Sequence, residues 1–264
     1  MAGKGLTDKL DAVWTSIDKL CSGLSDEQWA TQTDCPGWDA KDNISHIIGT
    51  ESMLLGRPAP EHDPGDKPWV RNPIGKANEI QVDYRRGRSG AEVLDEFRQV
   101  TGERLKQLRS FTEDDFNQET NTPVGPGTVA SFLEIRIMDC WVHEQDIRRA
   151  LGKPGNLTGP VAEHALGRHA GALGFVVGKK VAPPAGTTVV FDVDGFGAVG
   201  IEQAERAKQI EPPASPDVKL SMDMETFNCL CCGRKDADWA AGRVKISGDT
   251  ALGRSVLEQM NFMI

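Results

Sequence analysis

The sequence has no long hydrophobic run, few aromatic residues and fewer basic than acidic residues. No apolar stretch approaches the roughly 18 residues that a transmembrane helix needs, and the first residues contain no apolar core of a secretory signal. Thirty Lys and Arg residues against 39 Asp and Glu residues give a formal net charge of −9. This charge disfavours binding to nucleic-acid phosphates or anionic lipids. We therefore expect a cytoplasmic protein that binds neither nucleic acid nor a membrane.

Cysteines are also sparse, with six in 264 residues, and their spacing is irregular. Disulfide frameworks are typical of short secreted chains, so we expect reduced thiols here. Cys229, Cys231 and Cys232 form a cluster with one C-x-x-C, but the second C-x-x-C or paired histidines of a zinc ribbon are absent from the sequence. Two interpretations of the cluster stay open, a redox or metal role and a structural role as small buried side chains.

The pattern of apolar residues indicates two regions that differ in secondary structure. The first region carries apolar residues at helical spacing and predicts a bundle of four principal helices with one long crossover. These helices are predicted at about 6–24, 39–55, 89–108 and 128–151, with a proline-rich loop over 56–73.

The second region mixes helical patterns with short alternating runs. It predicts helices at 161–177 and 223–232 and strands at 187–193, 197–203, 218–222 and 243–247. A mixture of this kind is typical of an α+β fold. We therefore expect two domains, a helical bundle over residues 1–155 and a smaller α+β domain over 156–264.

The predicted fourth helix carries a polar stripe on an otherwise apolar surface. Asp139 and His143 lie one turn apart, and Arg136 and Asp146 extend the same face in both directions. A carboxylate and an imidazole at this spacing supply oxygen and nitrogen ligands for a divalent metal. The alternative is a solvent-exposed face with weak ion pairs. His46, on the predicted second helix, is the best-placed third ligand, although its position away from that helix's apolar stripe is by itself typical of a surface histidine.

Several blocks of the sequence resemble the mycothiol-dependent maleylpyruvate isomerase family. The first block is Cys-Pro-Gly-Trp at 35–38 followed by His46, and the second is Arg-Ile-Met-Asp-Cys-Trp-Val-His at 136–143. The resemblance continues through residues 224–234 and 244–254, which are similar to that family's C-terminal domain. It covers nearly the whole chain. It implies a DinB-like metal-binding four-helix bundle over 1–155, followed by a sterol-carrier-like α+β domain over 156–264.

The resemblance also implies a set of site residues. The family's zinc ligands correspond to His46, Asp139 and His143, and its functional arginine corresponds to Arg234, whose guanidinium suits an anionic group. The isomerase type has Glu where this chain has Asp139, so either the metal must lie nearer to this helix or the helix must shift. Asp146 would orient His143, and a salt bridge to a neighbouring arginine is the alternative. The alternative for Arg234 is a surface arginine.

Three protein ligands leave an open coordination position, which is typical of catalytic metal sites. The resemblance implies zinc or another divalent metal as cofactor, and mycothiol as a low-molecular-weight thiol that attacks a small electrophilic substrate. An isomerase would add the thiol to a cis double bond and release it after rotation, whereas an S-transferase would leave it attached. The alternatives are a metal-dependent hydrolase that uses a metal-bound hydroxide and a non-catalytic small-molecule binding protein. A monomer and a homodimer are equally compatible with the sequence.

Overall fold

The computed structural model describes residues 2–263, which form two compact units divided between Asn156 and Leu157. Within this range, helices are either too short or too polar to cross a membrane. The expected combination of a helical N-terminal region and a C-terminal region of strands and helices is confirmed. Each unit has its own apolar core and is described separately below.

Four long helices dominate the N-terminal unit. In chain order, the elements of this unit are α1 (Ala2–Cys21), α2 (Asp26–Trp29), α3 (Ala40–Leu54), α4 (Pro73–Asp83), α5 (Gly90–Ser110), α6 (Glu113–Asn117), β1 (Glu119–Thr122), β2 (Gly125–Thr128) and α7 (Val129–Ala150). Helices α1 and α3 each pack against both α5 and α7. The four long helices therefore close into a ring around a shared apolar core, which is the bundle that the sequence predicts.

Local sequence signals determine where the site-bearing helices begin. Asp39 caps α3 by accepting a hydrogen bond from the backbone N–H of Asp42, whose side chain in turn accepts from the backbone of Asp39. Thr128 and Ser131 form the same reciprocal arrangement at the start of α7. Such capping boxes satisfy N–H groups that have no partner within the helix. They fix the first turn of each helix and with it the face on which later side chains lie.

Two parts of the N-terminal unit lack a signal in the sequence. Helix α4 buries only Glu79 and Val82. It therefore has no apolar stripe from which a helix could be predicted. The β1–β2 hairpin alternates between exposed and half-buried residues, with no buried apolar face. By contrast, residues 55–72 contain no helix or strand, in agreement with the predicted proline-rich loop.

The C-terminal unit is a five-stranded sheet with three α-helices. Its elements are α8 (Pro160–Phe175), a π-helical turn (Val176–Val181), β3 (Thr188–Asp194), β4 (Gly197–Glu202), β5 (Lys208–Ile210), β6 (Val218–Asp223), α9 (Met224–Cys231), β7 (Lys245–Gly248) and α10 (Thr250–Gln259). The strand order is β5-β4-β3-β6-β7, and only the β3–β6 pair is parallel. All four predicted strands are present. The short, largely exposed β5 has no counterpart in the prediction.

All six cysteines are buried, and none of them forms a disulfide within residues 2–263. In the C-terminal cluster, the Cys232 Sγ lies 3.6 Å from His169 Nε2 and 3.4 Å from Asn228 Oδ1. Within residues 2–263, the groups of side chains that could hold a metal ion do not include Cys229, Cys231 or Cys232. These contacts favour the structural interpretation, in which the thiols are small buried side chains.

Candidate metal centre

Helices α3 and α7 bring together the three side chains expected to bind a metal. His46 of α3 places its Nε2 atom 3.2 Å from Oδ2 of Asp139, and His143 Nε2 lies 3.6 Å from Oδ1 of the same carboxylate. The two imidazole centroids are 4.8 Å apart. One potential ligand atom from each residue lies within 4.8 Å of the other two. Residues far apart in the sequence therefore converge on one point between two helices.

This cluster is buried, apart from one opening. His46 and His143 are each 6% exposed, and Arg136 and Asp146 of the polar stripe are 3% and 0% exposed. The interpretation of His46 as a surface histidine is therefore wrong, and so is that of the stripe as a solvated face. The reason is the packing of α3 against α7, which turns both polar faces into the bundle. The Asp139 side chain is 20% exposed, so the cluster opens to solvent beside this carboxylate.

Asn43 of α3 fixes the orientation of His143 through a contact with its Nδ1 atom. The imidazole Nδ1 lies 2.7 Å from Asn43 Oδ1. The Asn43 amide nitrogen donates to the backbone oxygen of Asp39 and to Thr33 Oγ1, so its oxygen faces the ring and accepts from Nδ1–H. The Nε2 atom of His143 therefore faces Asp139. Sequence reasoning missed Asn43, whose signal is its place one turn before His46 on the same helix.

Asp146 and Cys35 also surround the Nδ1 side of His143. Asp146 Oδ2 lies 3.4 Å from Nδ1, and its other oxygen accepts a hydrogen bond from Arg149. Asp146 therefore makes both contacts that the sequence analysis offered as alternatives, one with His143 and one with a neighbouring arginine. The Cys35 thiol lies 3.2 Å from Asp146 Oδ2 and 3.9 Å from His143 Nδ1. These groups together hold the imidazole ring from the side away from Asp139.

The charges around Asp139 keep this carboxyl group ionised. Burial alone would raise the pKa of Asp139, but the guanidinium of Arg136 and the imidazoles of His46 and His143 outweigh burial and hold its pKa well below the ordinary range. Burial lowers the pKa of His46. At His143, the carboxylates of Asp139 and Asp146 outweigh burial and raise the pKa. The cluster therefore combines an ionised carboxylate with imidazoles of opposite pKa shifts.

A tryptophan covers the two imidazoles. The Trp38 ring centroid lies 5.3 Å from that of His46 and 5.9 Å from that of His143. Glu79 of α4 is fully buried, and its Oε2 accepts hydrogen bonds from Trp38 Nε1 at 2.9 Å and from Trp69 Nε1 at 3.0 Å. Sequence reasoning did not identify Trp38 or Glu79 as parts of the site. Their contribution depends on α4, which has no apolar stripe in its sequence.

The residues present fit a divalent metal. Two imidazole nitrogens and one carboxylate oxygen form a common ligand set for zinc. The contact between His143 Nδ1 and Asn43 is the kind of support that orients a ligand imidazole. The buried His46 Nδ1 has no hydrogen-bond partner among the described residues. A metal held by these three side chains would have room for a further ligand on the side of the opening, as catalytic metal sites do.

Arg234 belongs to the C-terminal unit and follows α9. Its Nη1 donates to the backbone oxygen of Cys232 at 3.2 Å. The side chain lines a pocket of about 570 Å³, together with Trp239 and Arg254. This placement is compatible with a role in binding an anionic group, which stays a prediction.

Two family models match the chain. The model of the mycothiol maleylpyruvate isomerase N-terminal domain matches residues 10–148, a range that contains the whole His46–Asp139–His143 cluster. The model of the SCP-2 sterol transfer family matches residues 172–259, which include all five strands of the C-terminal sheet. The two matches follow one another in the same order as the two structural units.

The chain is also similar to two curated proteins. Two uncharacterized proteins of Mycobacterium tuberculosis, from strains CDC 1551 / Oshkosh and ATCC 25618 / H37Rv, are 28% identical over 138 residues, which are 52% of this chain and 52% of theirs. The chain thus spans about half the length of the curated relatives it matches.

A crystal structure of the mycothiol-dependent maleylpyruvate isomerase matches with a TM-score of 0.60 at 17% identity, covering 93% of this chain and 92% of that chain. A point mutant of that isomerase matches over the same shares with a TM-score of 0.57. At this identity the likeness shows the fold alone. The first family model, however, covers more than half of the sequence, and the chain therefore belongs to the mycothiol maleylpyruvate isomerase family.

Proposed function

We propose that this protein is a divalent-metal enzyme, with zinc as the metal, that uses mycothiol to act on a small electrophilic substrate. The reaction is an isomerisation or an S-transfer. The observation that carries the proposal is the convergence of His46, Asp139 and His143 on one point with an opening to solvent. Membership in the family supports mycothiol as the thiol, since its N-terminal domain is named for it.

Each side chain of the cluster has a separate part in the proposed site. His46, Asp139 and His143 would hold the metal through Nε2, a carboxylate oxygen and Nε2, respectively. A divalent metal bound there would lower the pKa of a coordinated thiol and so supply a thiolate nucleophile near neutral pH. Asn43 keeps the His143 ring in the orientation that presents Nε2. Trp38 shields the two rings on one side, and this limits access of water to them.

The proposed substrate carries an anionic group that Arg234 binds. A guanidinium is always charged and presents donors in a fork that matches a carboxylate. The net charge of −9 makes such local positive charge necessary for an anionic substrate. The chain has Asp139 where the isomerase type has Glu, so maleylpyruvate is one candidate substrate within a broader class of electrophiles.

The metal site is tested by metal analysis of the purified protein beside two variants. We expect about one zinc per chain in the wild type and almost none in His143→Ala, because this variant loses one ligand and the one best supported by its neighbours. His62→Ala is the matched control, since His62 is a half-buried histidine of the same unit that contacts Asp83 instead. Equal metal content in the wild type and His143→Ala would contradict the proposal.

The thiol requirement is tested by turnover assays with and without mycothiol, using maleylpyruvate and a general thiol-reactive electrophile. We expect turnover only when both metal and thiol are present. Arg234→Ala should lose most of this turnover while keeping its zinc, whereas Arg206→Ala, which removes an exposed arginine of the same unit, should keep both. Metal-dependent turnover without any thiol would identify a hydrolase instead. Metal-free protein with no turnover would favour the non-catalytic binding protein.

A further inference from the structure

A row of buried charged side chains runs from the interior of the bundle to the metal cluster. Arg104 and Arg136 are each 3% exposed, and Glu51, which lies between them, is fully buried. Arg136 Nε donates to Glu51 Oε1 at 2.8 Å, and Arg104 Nε lies 3.5 Å from Glu51 Oε2. At its other end Arg136 donates to Oδ2 of Asp139. The signs of charge therefore alternate over four residues from α5, α3 and α7.

Arg136 donates a hydrogen bond to one particular oxygen of the Asp139 carboxylate. The guanidinium and His46 Nε2 both contact Oδ2, while Oδ1 faces His143 Nε2 at 3.6 Å. Asp139 is also the most exposed member of the cluster, with 20% of its side chain accessible. Without the guanidinium, its carboxylate could rotate about χ1 and χ2 towards the solvent opening. The Arg136 contact therefore selects the orientation that faces the two imidazoles.

A role in stability alone would not account for this arrangement. Ion pairs taken fully out of water gain little net stability, because the loss of hydration offsets the attraction between the charges. A fixed guanidinium is instead well suited to orienting a carboxylate, since its donors are rigidly spaced. Glu51 restrains the guanidinium in turn, and Arg104 balances the charge of Glu51.

We propose that Arg136 is a positioning residue of the metal site, which holds the Asp139 carboxylate in the orientation that binds the metal, with Glu51 and Arg104 as its supports. This inference rests on the proposed function, because it assumes that Asp139 is a ligand. In this inference, metal affinity depends on Arg136, Glu51 and Arg104 as well as on the ligands, although these three residues do not bind the metal. Partners that orient metal ligands in this way typically change affinity by about 10- to 100-fold when they are substituted.

The test is the zinc dissociation constant, measured by competition with a chromophoric chelator. Arg136→Gln should bind zinc about 10- to 100-fold more weakly than the wild type. Arg136→Lys should lose less, because it keeps the charge and one donor but not the fork. Arg85→Gln is the matched control, since Arg85 is a buried arginine of the same unit that pairs with Glu96 at 2.7 Å. This control should lose a similar amount of thermal stability and bind zinc as the wild type does.

A second variant covers the case in which Arg136→Gln does not fold. Glu51→Gln keeps the contact between Arg136 and Asp139 but removes the charge that anchors the guanidinium, so zinc affinity should fall by less than in Arg136→Gln and more than in Arg85→Gln. Unchanged affinity in a folded Arg136→Gln, or in Glu51→Gln where the first variant is unfolded, would overturn the inference and leave the proposed function standing. A wild-type protein that binds no zinc would overturn both.

Discussion

His169 shows how a single buried side chain makes the stability of the C-terminal unit depend on pH. It is fully buried, and Nε2 lies 2.9 Å from Asn228 Oδ1. Burial lowers its pKa to about 4, with the nearby charge of Arg168 acting in the same direction and the contact with Asn228 opposing them. In the folded protein, His169 therefore becomes protonated only near pH 4. In the unfolded chain it becomes protonated at about pH 6.5.

The pKa of His169 predicts a loss of stability on mild acidification. The contribution of the neutral imidazole is complete above pH 6.5 and is lost as the pH falls towards 4, because the unfolded state then binds more protons. Between pH 7 and pH 5 the free energy of unfolding should fall by about 2 kcal/mol through this residue alone. The free energy of unfolding of His169→Gln, measured with denaturant at both pH values, should therefore decrease by about 2 kcal/mol less than that of the wild type.

The control for this prediction is Leu166→Ala, which removes a buried side chain from the same helix without removing a titratable group. Its free energy of unfolding should be lower at both pH values and should show the pH dependence of the wild type. An equal decrease in the wild type and His169→Gln would mean that other groups cause the acid sensitivity.

The sequence could indicate individual site residues only within one helix. The spacing of Asp139 and His143 follows from helical geometry, and α7 confirms that they share a face. The burial of His46 and the support from Asn43 could not be inferred in this way, because they depend on which face of α3 packs against α7. The resemblance to a family placed His46 in the cluster, where spacing alone favoured the surface.

At the scale of elements, the turn before α3 is a point where backbone shape affects the site. Gly37 has a φ of +74°, in the left-handed region that glycine readily adopts. A Cβ atom added there would lie 2.4 Å from the Trp69 ring. This turn carries Trp38, which covers the two imidazoles. A side chain at position 37 would therefore disturb both the backbone and the packing of two indole rings.

Gly37→Ala should destabilise the protein more than a glycine substitution that meets open space. Gly56→Ala is the matched control, because Gly56 has a φ of +80° with nothing within 4 Å of an added Cβ. Backbone strain alone should cost about 1–2 kcal/mol in Gly56→Ala, and Gly37→Ala should add the cost of moving Trp69. Urea unfolding measures both variants. Equal losses would show that the turn tolerates displacement of the ring.

Three of the correctly predicted helices carry two independent signals in their sequence. Helices α3, α5 and α7 have apolar residues at helical spacing and polar caps at Asp39, Ser89 and Thr128. Helix α4 lacks the first signal, since its burial is due largely to the charged Glu79. That carboxylate is buried because two indole N–H groups and Arg86 bind it, and contacts between distant segments leave no periodicity in the sequence.

At the scale of the whole molecule, zinc should protect one part of the chain more than the rest. A ligand that binds only the folded state stabilises it by about 2.7 kcal/mol at a concentration 100 times its dissociation constant. The proposed ligands all lie on α3 and α7. Hydrogen exchange measured with and without zinc should therefore slow most in these two helices. His143→Ala should show no such change, and uniform protection over the sheet of the C-terminal unit would place the metal elsewhere.

The burial of all six cysteines has a practical consequence for labelling the protein. Thiols inside a packed core react slowly with maleimides, because reaction requires both access and the thiolate form. A single cysteine introduced at an exposed position would therefore react selectively. Val124, 76% exposed in the turn between β1 and β2, is a suitable position. A fluorophore at Val124→Cys would report on the N-terminal unit without replacing any native cysteine.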